Sequence, residues 1–241
     1  MGLLFWRKTK EKRIHLDYAA TTPVHREVYA AMQPYFNEVW ANPSALYKEA
    51  VKAKLALDDA RAKVARTLRV RATDITFTSG GTESNNHELI GTVEALHHTG
   101  RAYEDMEIIS TRIEHPSILK TLIYLEKRGV VVTYAPIDAS GQIVIPELEK
   151  LFNTKTVLIT FAYVNSEIGV VQEVKKITRK VRAWNETNET KVRTHLDACQ
   201  APLWLSCEMD MLGVDLMTLD SGKCYGPKGV GILARRHSVP L

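Results

Sequence analysis

The residues able to do chemistry fall into five short clusters, each following a run of apolar, β-branched character. Ser79-Gly80-Gly81-Thr82 comes first. Two glycines allow a sharp backbone turn and close approach to a ligand. A helix starting there would offer free N–H groups and a positive dipole end to a phosphate; the competing reading is a tight turn with Thr82 as N-cap. The string lacks the terminal Gly-Lys-Ser/Thr of a Walker loop. Arg112-Ile113-Glu114-His115 follows the run Met106–Ser110, Asn165-Ser166-Glu167 the run Val157–Tyr163, and Asp197-Ala198-Cys199-Gln200 the run Val192–Leu196, which holds His195. A carboxylate at Asp197, placed after a buried-looking strand, needs a partner: a protonated ring nitrogen, an arginine or a cap. His195-x-Asp197-x-Cys199 supplies no third and fourth ligand at metal spacing. The last cluster is Asp220-Ser221-Gly222-Lys223. A lysine crowded among small residues and desolvated has a lowered pKa and forms Schiff bases; the alternative is an exposed loop lysine, as Lys228 reads.

A phosphate cradle, an aromatic histidine, a carboxylate, an amide and a lysine are together the kit for pyridoxal phosphate. The lysine holds the aldehyde, and the carboxylate keeps the pyridine nitrogen protonated. A flat side chain stacks on the ring, and an amide steadies the phenolic oxygen.

The elements that must position these groups alternate helix and strand. Strand-like runs fall at Ile75–Thr78, Met106–Ser110, Val130–Tyr134, Val157–Tyr163, Val192–Leu196, Leu216–Leu219 and Val230–Leu233. Helical spacing covers 25–39, 45–68 with Ser44 as N-cap, 82–97, 116–127, 146–152 and 174–185. Near-continuous apolar strands between helices predict an α/β three-layer sandwich with a mainly parallel seven-stranded sheet. In such sheets ligands bind beyond the carboxyl ends of the strands, where the five clusters lie. The polar run Asn185–Thr190 reads as a turn.

Composition sets the outer bounds. The chain has 241 residues, 45% hydrophobic and 25% charged, with 32 basic against 28 acidic side chains and a net charge of +4. Disordered and collagen-like classes are excluded. The charge is spread, so no nucleic-acid footprint emerges. No stretch approaches the roughly 18 apolar residues of a membrane span. Residues 1–13 read as a basic tail, too short in apolar content for a secretory signal. Three cysteines at irregular spacing form neither a disulfide framework nor a zinc pattern, and a cytoplasmic location is the expectation.

Seven ordered stretches carry a family resemblance. They are Leu16–Pro23, Asn42-Pro43-Ser44, Phe77–Asn86, Glu114-His115, Val164–Gly169, His195–Gln200 and Lys223–Gly229. Over residues 14–235 the chain resembles the iron–sulfur type of cysteine desulfurase, in the class V aminotransferase group of fold type I. The resemblance implies that Lys223 is the Schiff-base lysine and proton shuttle and that His115 stacks on the ring and moves protons. It implies Asp197 for the pyridine nitrogen, Gln200 for the phenolic oxygen, Gly81 and Thr82 for the phosphate, and Asn165 near the cofactor oxygen and the substrate carboxylate. In the family, L-cysteine yields alanine and an enzyme persulfide that passes to a scaffold or acceptor protein, and the enzymes are homodimers. On this basis residues 14–241 form the cofactor-binding large domain. The small C-terminal domain, with its sulfur-accepting cysteine and substrate-gripping arginine, is expected to be absent, and activity impaired. Cys199, Cys207 and Cys224 match no family nucleophile.

The family usually has Ser/Thr-Gly-His before the lysine, where this chain has Asp220-Ser221-Gly222. Asp220 is expected to repel a phosphate unless it points away, with Ser221 compensating by a one-residue adjustment. Positions 47 and 50, usually His and Gly, are Tyr47 and Ala50. Two alternatives stand beside the desulfurase reading: a selenocysteine lyase or other class V enzyme, and a non-catalytic homologue with a binding or structural role.

Overall fold

A computed structural model of the chain describes residues 14–236; the 1–13 tail and residues 237–241 lie outside the described residues. The seven strands are β1 (Ile75–Thr78), β2 (Glu107–Ser110), β3 (Val131–Tyr134), β4 (Thr156–Ala162), β5 (Arg193–Asp197), β6 (Leu216–Asp220) and β7 (Gly231–Arg235). They form one sheet in the order β1-β7-β6-β5-β4-β2-β3. Strands β2 to β6 pair in parallel, while β7 runs antiparallel to both β6 and β1. Two reversals leave β1 pointing the same way as β6. The carboxyl ends of β1, β2, β4, β5 and β6 therefore share one edge of the sheet.

The central strands read as continuous apolar runs because both faces are covered. Alternation of period two sorts their side chains. Ile108 and Leu158 face α4 (Gly81–His98) and α5 (Pro116–Glu126), packing with Leu89, Val93, Ile118 and Leu122. Ile109 and Ile159 face the opposite layer, with Ala65 and Leu68 of α3 (Lys48–Leu68), Leu148 of α6 (Ile145–Leu151), and Ile177 and Val181 of α7 (Val174–Asn188). Met209 and Leu212 of the short α8 (Met209–Leu212) complete that side. This is the expected three-layer sandwich.

Four local expectations are corrected. The helix read at 25–39 is two pieces, α1 (Arg26–Met32) and α2 (Pro34–Asn37), because Pro34 has no N–H to continue the first. Helix α3 is capped by Tyr47 rather than Ser44, whose N–H instead donates to Asn42 Oδ1 at 2.9 Å. Gly80, not Thr82, is the N-cap of α4. Helix α7 carries on through the polar run to Asn188 and ends at Glu189 in the left-handed region. Asn185 then ties off the exit, its Oδ1 accepting from the Val192 N–H at 2.8 Å. Among the described residues no helix is long and apolar enough to cross a membrane.

Candidate active site

All five strand ends wall a single cleft of about 490 Å³. Gly81, Thr82 and Asn85 come from the β1 side, and Ile113, His115 and Ser117 from behind β2. Asn165 follows β4, Asp197, Cys199 and Gln200 end or follow β5, and Asp220 and Lys223 end or follow β6. Every site residue expected from the sequence lines this cleft. His195 does not: it is fully buried between Thr160 Oγ1 at 2.8 Å and Thr218 Oγ1 at 3.0 Å, and burial pushes its pKa down to about 4.

The turn into α4 depends on glycine. Gly80 has φ 156° and ψ 178°, a conformation essentially reserved for glycine. A Cβ on Gly231 of β7 would lie 2.5 Å from the Gly80 carbonyl carbon, so the two backbones touch directly. A Cβ on Gly81 would lie 2.6 Å from Cys199 Sγ. The Gly81 N–H, first in the helix, donates to Asp220 Oδ2 at 2.9 Å. Asp220 thus points into the cradle rather than away from it. Ser221 makes no compensating adjustment, because its hydroxyl donates to the carbonyls of Pro227 and Val230.

A buried chain of hydrogen bonds links two of the expected residues. Asn85 Nδ2 donates to Asp197 Oδ2 at 2.8 Å and to Ser117 Oγ at 2.9 Å. Ser117 Oγ lies 2.7 Å from His115 Nδ1, and the Ser117 backbone N–H donates to the same nitrogen at 3.1 Å. A backbone N–H can only donate, so Nδ1 is an acceptor and a neutral His115 ring carries its proton on Nε2. Ser117 must then accept from Asn85 and donate to His115. Asp197 Oδ1 accepts from the Cys199 N–H at 3.0 Å. Of the partners open to Asp197 in the sequence, the chain supplies the backbone cap, and it adds the Asn85 amide, which was not among them. Glu114, beside His115, is held near Thr111 Oγ1 at 2.5 Å, and burial raises its pKa to about 8.

Lys223 Nζ donates to the carbonyls of Ala19 at 2.9 Å and Ala20 at 2.6 Å. Gln200 Nε2 also donates to Ala19, at 2.9 Å, so the segment before α1 straps across this side of the cleft. Asn165 is engaged in the wall: its Nδ2 donates to the Ile113 carbonyl at 2.7 Å, and its Oδ1 accepts from the Glu167 and Ile168 N–H groups. Burial pushes the Cys199, Cys207 and Cys224 thiols up, Cys207 to about 11, so each is a thiol rather than a reactive thiolate near neutral pH. Sequence reasoning gave Asn85 and Ser117 no role. The available signal was their helical spacing: Asn85 lies one turn beyond Gly81 on the same face of α4.

Comparison with known proteins follows the same lines. The Aminotransferase class-V family model matches residues 14–240. The cysteine desulfurase IscS of Dictyoglomus turgidum is 36% identical over 231 residues, which is 96% of this chain and 56% of that protein. The IscS of Methanosarcina thermophila is 36% identical over 97% of this chain and 55% of its own length. The chain thus spans just over half the length of these relatives. Among solved structures, a NifS-like protein superposes with a TM-score of 0.89 at 35% identity, covering 95% of this chain and 60% of that one. A structure described as SspA in complex with cysteine gives 0.85 at 36% identity, over 94% and 63%.

Proposed function

The chain belongs to the aminotransferase class-V family, and on that premise we propose that it is the cofactor-binding part of a pyridoxal-phosphate-dependent cysteine desulfurase acting on L-cysteine. The observation that carries this reading is the meeting of Lys223, Asp197, Gln200, His115 and the Gly81–Thr82 turn at one cleft. The donor set fits the group: an amine, a carboxylate braced by two donors, an amide and a flat ring line the same cleft.

Bound pyridoxal phosphate supplies an electron sink for charge developing at the substrate α-carbon. Lys223, whose Nζ now donates to the Ala19 and Ala20 carbonyls, would be the amine that holds the aldehyde and the base for the α-proton. Asp197, fixed by Asn85 and Cys199, holds a proton on the pyridine nitrogen. His115 offers its ring as a stacking face, and Nε2–H as the outer end of the bonded chain through Ser117. Gln200 would donate to the phenolic oxygen, Gly81 and Thr82 would hold the phosphate, and Asn165 would serve the cofactor oxygen and the substrate carboxylate. None of Cys199, Cys207 and Cys224 is the sulfur acceptor in this reading, because each is held as a thiol near neutral pH. Exposed apolar side chains at Leu16, Phe36, Trp40 and Leu46 support a second copy of the chain covering this side as a homodimer. Delivery of sulfur to an iron–sulfur scaffold and a cytoplasmic location complete the reading, the latter supported by three free cysteines.

The test is optical. Chain mixed with pyridoxal phosphate should absorb in the visible, and borohydride reduction should fix the adduct on Lys223. Lys223→Ala should lose both signals. A colourless wild-type protein with no adduct refutes the reading; alanine and sulfide release from L-cysteine then measures turnover.

A further inference from the structure

We propose that the Asp220 carboxylate is an internal anion seated in the phosphate cradle, so that a cofactor phosphate binds only by displacing it. The inference rests on the cofactor reading above and concerns how strongly this chain holds the phosphate end. Asp220 is the last residue of β6, and its side chain bridges two backbone donors. Oδ2 accepts from the Gly81 N–H at 2.9 Å and Oδ1 from the Gly222 N–H at 2.7 Å. Gly81 is the first residue of an 18-residue helix, whose leading N–H groups have no intrahelical partner. Those groups and the positive end of the helix dipole are what an incoming phosphate would use. A carboxylate of the same charge sign already takes the first of them, the Gly81 N–H.

A Cβ on Gly80 or Gly81 would stand 3.4 Å from Asp220 Oδ2, an ordinary contact, so the carboxylate constrains neither position. A Cβ on Gly222 would stand 3.1 Å from Oδ1, so a side chain at that position would crowd it. Asp220 and Gly222 are therefore a matched pair: the aspartate fills the cradle and the glycine clears its path. The neighbouring hydroxyl is no substitute donor, because Ser221 is bonded to Pro227 and Val230. A phosphate entering beside Asp220 would place two anions on one helix terminus, which Coulomb repulsion opposes. The carboxylate must rotate out, and Gly222 loses its partner when it does. Ring-end contacts are untouched by this exchange. The phosphate thus contributes far less to affinity than the donor count around Gly81 suggests.

The experiment titrates pyridoxal phosphate and phosphate-free pyridoxal into wild-type and Asp220→Ser chain, following the Lys223 adduct by absorbance and by mass after reduction. Asp220→Ser should tighten pyridoxal phosphate on the order of ten- to a hundredfold, the scale of one charge-assisted hydrogen bond, and leave pyridoxal within about twofold. Inorganic phosphate should raise the melting temperature of the variant and not that of wild type. An equal preference for the phosphorylated aldehyde in both proteins overturns the role of Asp220 and leaves the reading of the site standing. No Lys223 adduct with either aldehyde in either protein overturns that reading and this inference with it. Asp220→Asn, which keeps the shape without the charge, carries the same comparison if the serine variant does not fold, with a smaller gain expected.

Discussion

Replacing Glu88 by glutamine should remove a steep fall in stability between about pH 5 and pH 8. Glu88 is fully buried on α4. Its Oε1 accepts from Thr92 Oγ1 at 3.0 Å, and its Oε2 has no partner. Burial raises its pKa from 4.5 to about 8, more than Thr92 and the charge of Arg193 pull it down. Over that interval the folded chain holds a proton that the unfolded chain has released. The contribution is therefore complete below about pH 4.5 and is lost as pH rises through about 8. At 1.36 kcal/mol per pH unit, rounded off near each pKa, the loss between about pH 5 and pH 8 is about 3 kcal/mol. Glutamine has the same shape and no proton to lose. Urea unfolding at several pH values should show the stability of Glu88→Gln relative to wild type climbing by about this amount across the range. Glu114, also raised to about 8, lowers stability in the same direction, while His195 acts in the opposite one. Held down to about 4, its contribution is present above about pH 6.5 and lost as pH falls through 4. Both are common to the two proteins and cancel in the difference. A difference that stays flat with pH refutes the reasoning, because Glu88 would then be ionised in the folded chain and paired with Arg193.

Three further outcomes follow from contacts. Gly81→Ala should cost about 1–3 kcal/mol by overpacking against Cys199 Sγ, and Cys199→Ala should recover most of it; a double-mutant cycle without coupling would contradict that contact. Gly231→Ala meets the backbone of Gly80, which no side-chain truncation can move, so its melting temperature should fall with no rescuing partner. Ser117→Ala should cost about 1–2 kcal/mol by leaving Asn85 Nδ2 short of an acceptor, while nitrogen NMR still finds the His115 proton on Nε2 because the residue-117 backbone N–H remains.

Which strand ends carry the site was readable from pattern, because buried parallel strands are apolar throughout and the first polar residues mark where each one leaves the sheet. Asp197 and Lys223 stood out for that reason. The orientation of β7 was not readable: Gly231–Arg235 has the same apolar run whichever way it pairs. Helix starts were misread at Ser44 and Thr82 because a hydroxyl in the right place is a preference, while the backbone turn at Tyr47 and Gly80 decides the matter. From the sequence Asp220 reads only as a repulsive neighbour for a phosphate unless it points away, and which way it points is not legible there. With the helix N–H groups as its neighbours instead, the same charge draws it in.

The place of β7 bears on how the chain can be made. This strand, spanning 231–235, lies between β6 and β1, and it is the neighbour that β1 pairs with, through Thr78↔Gly231 and three further residues. During synthesis β1 emerges early and must wait for more than half the polypeptide before its partner exists. Until then the turn at Gly80 has no strand to brace it, and the sheet built from β2 to β6 stands with an open edge. Such late, long-range closure is slow and leaves a pairing edge exposed to other chains. A ribosome stalled short of residue 231 would carry a half-sheet with a polar cleft on which one wall is unsupported. Cofactor capture by the nascent protein would therefore begin abruptly, with the arrival of β7.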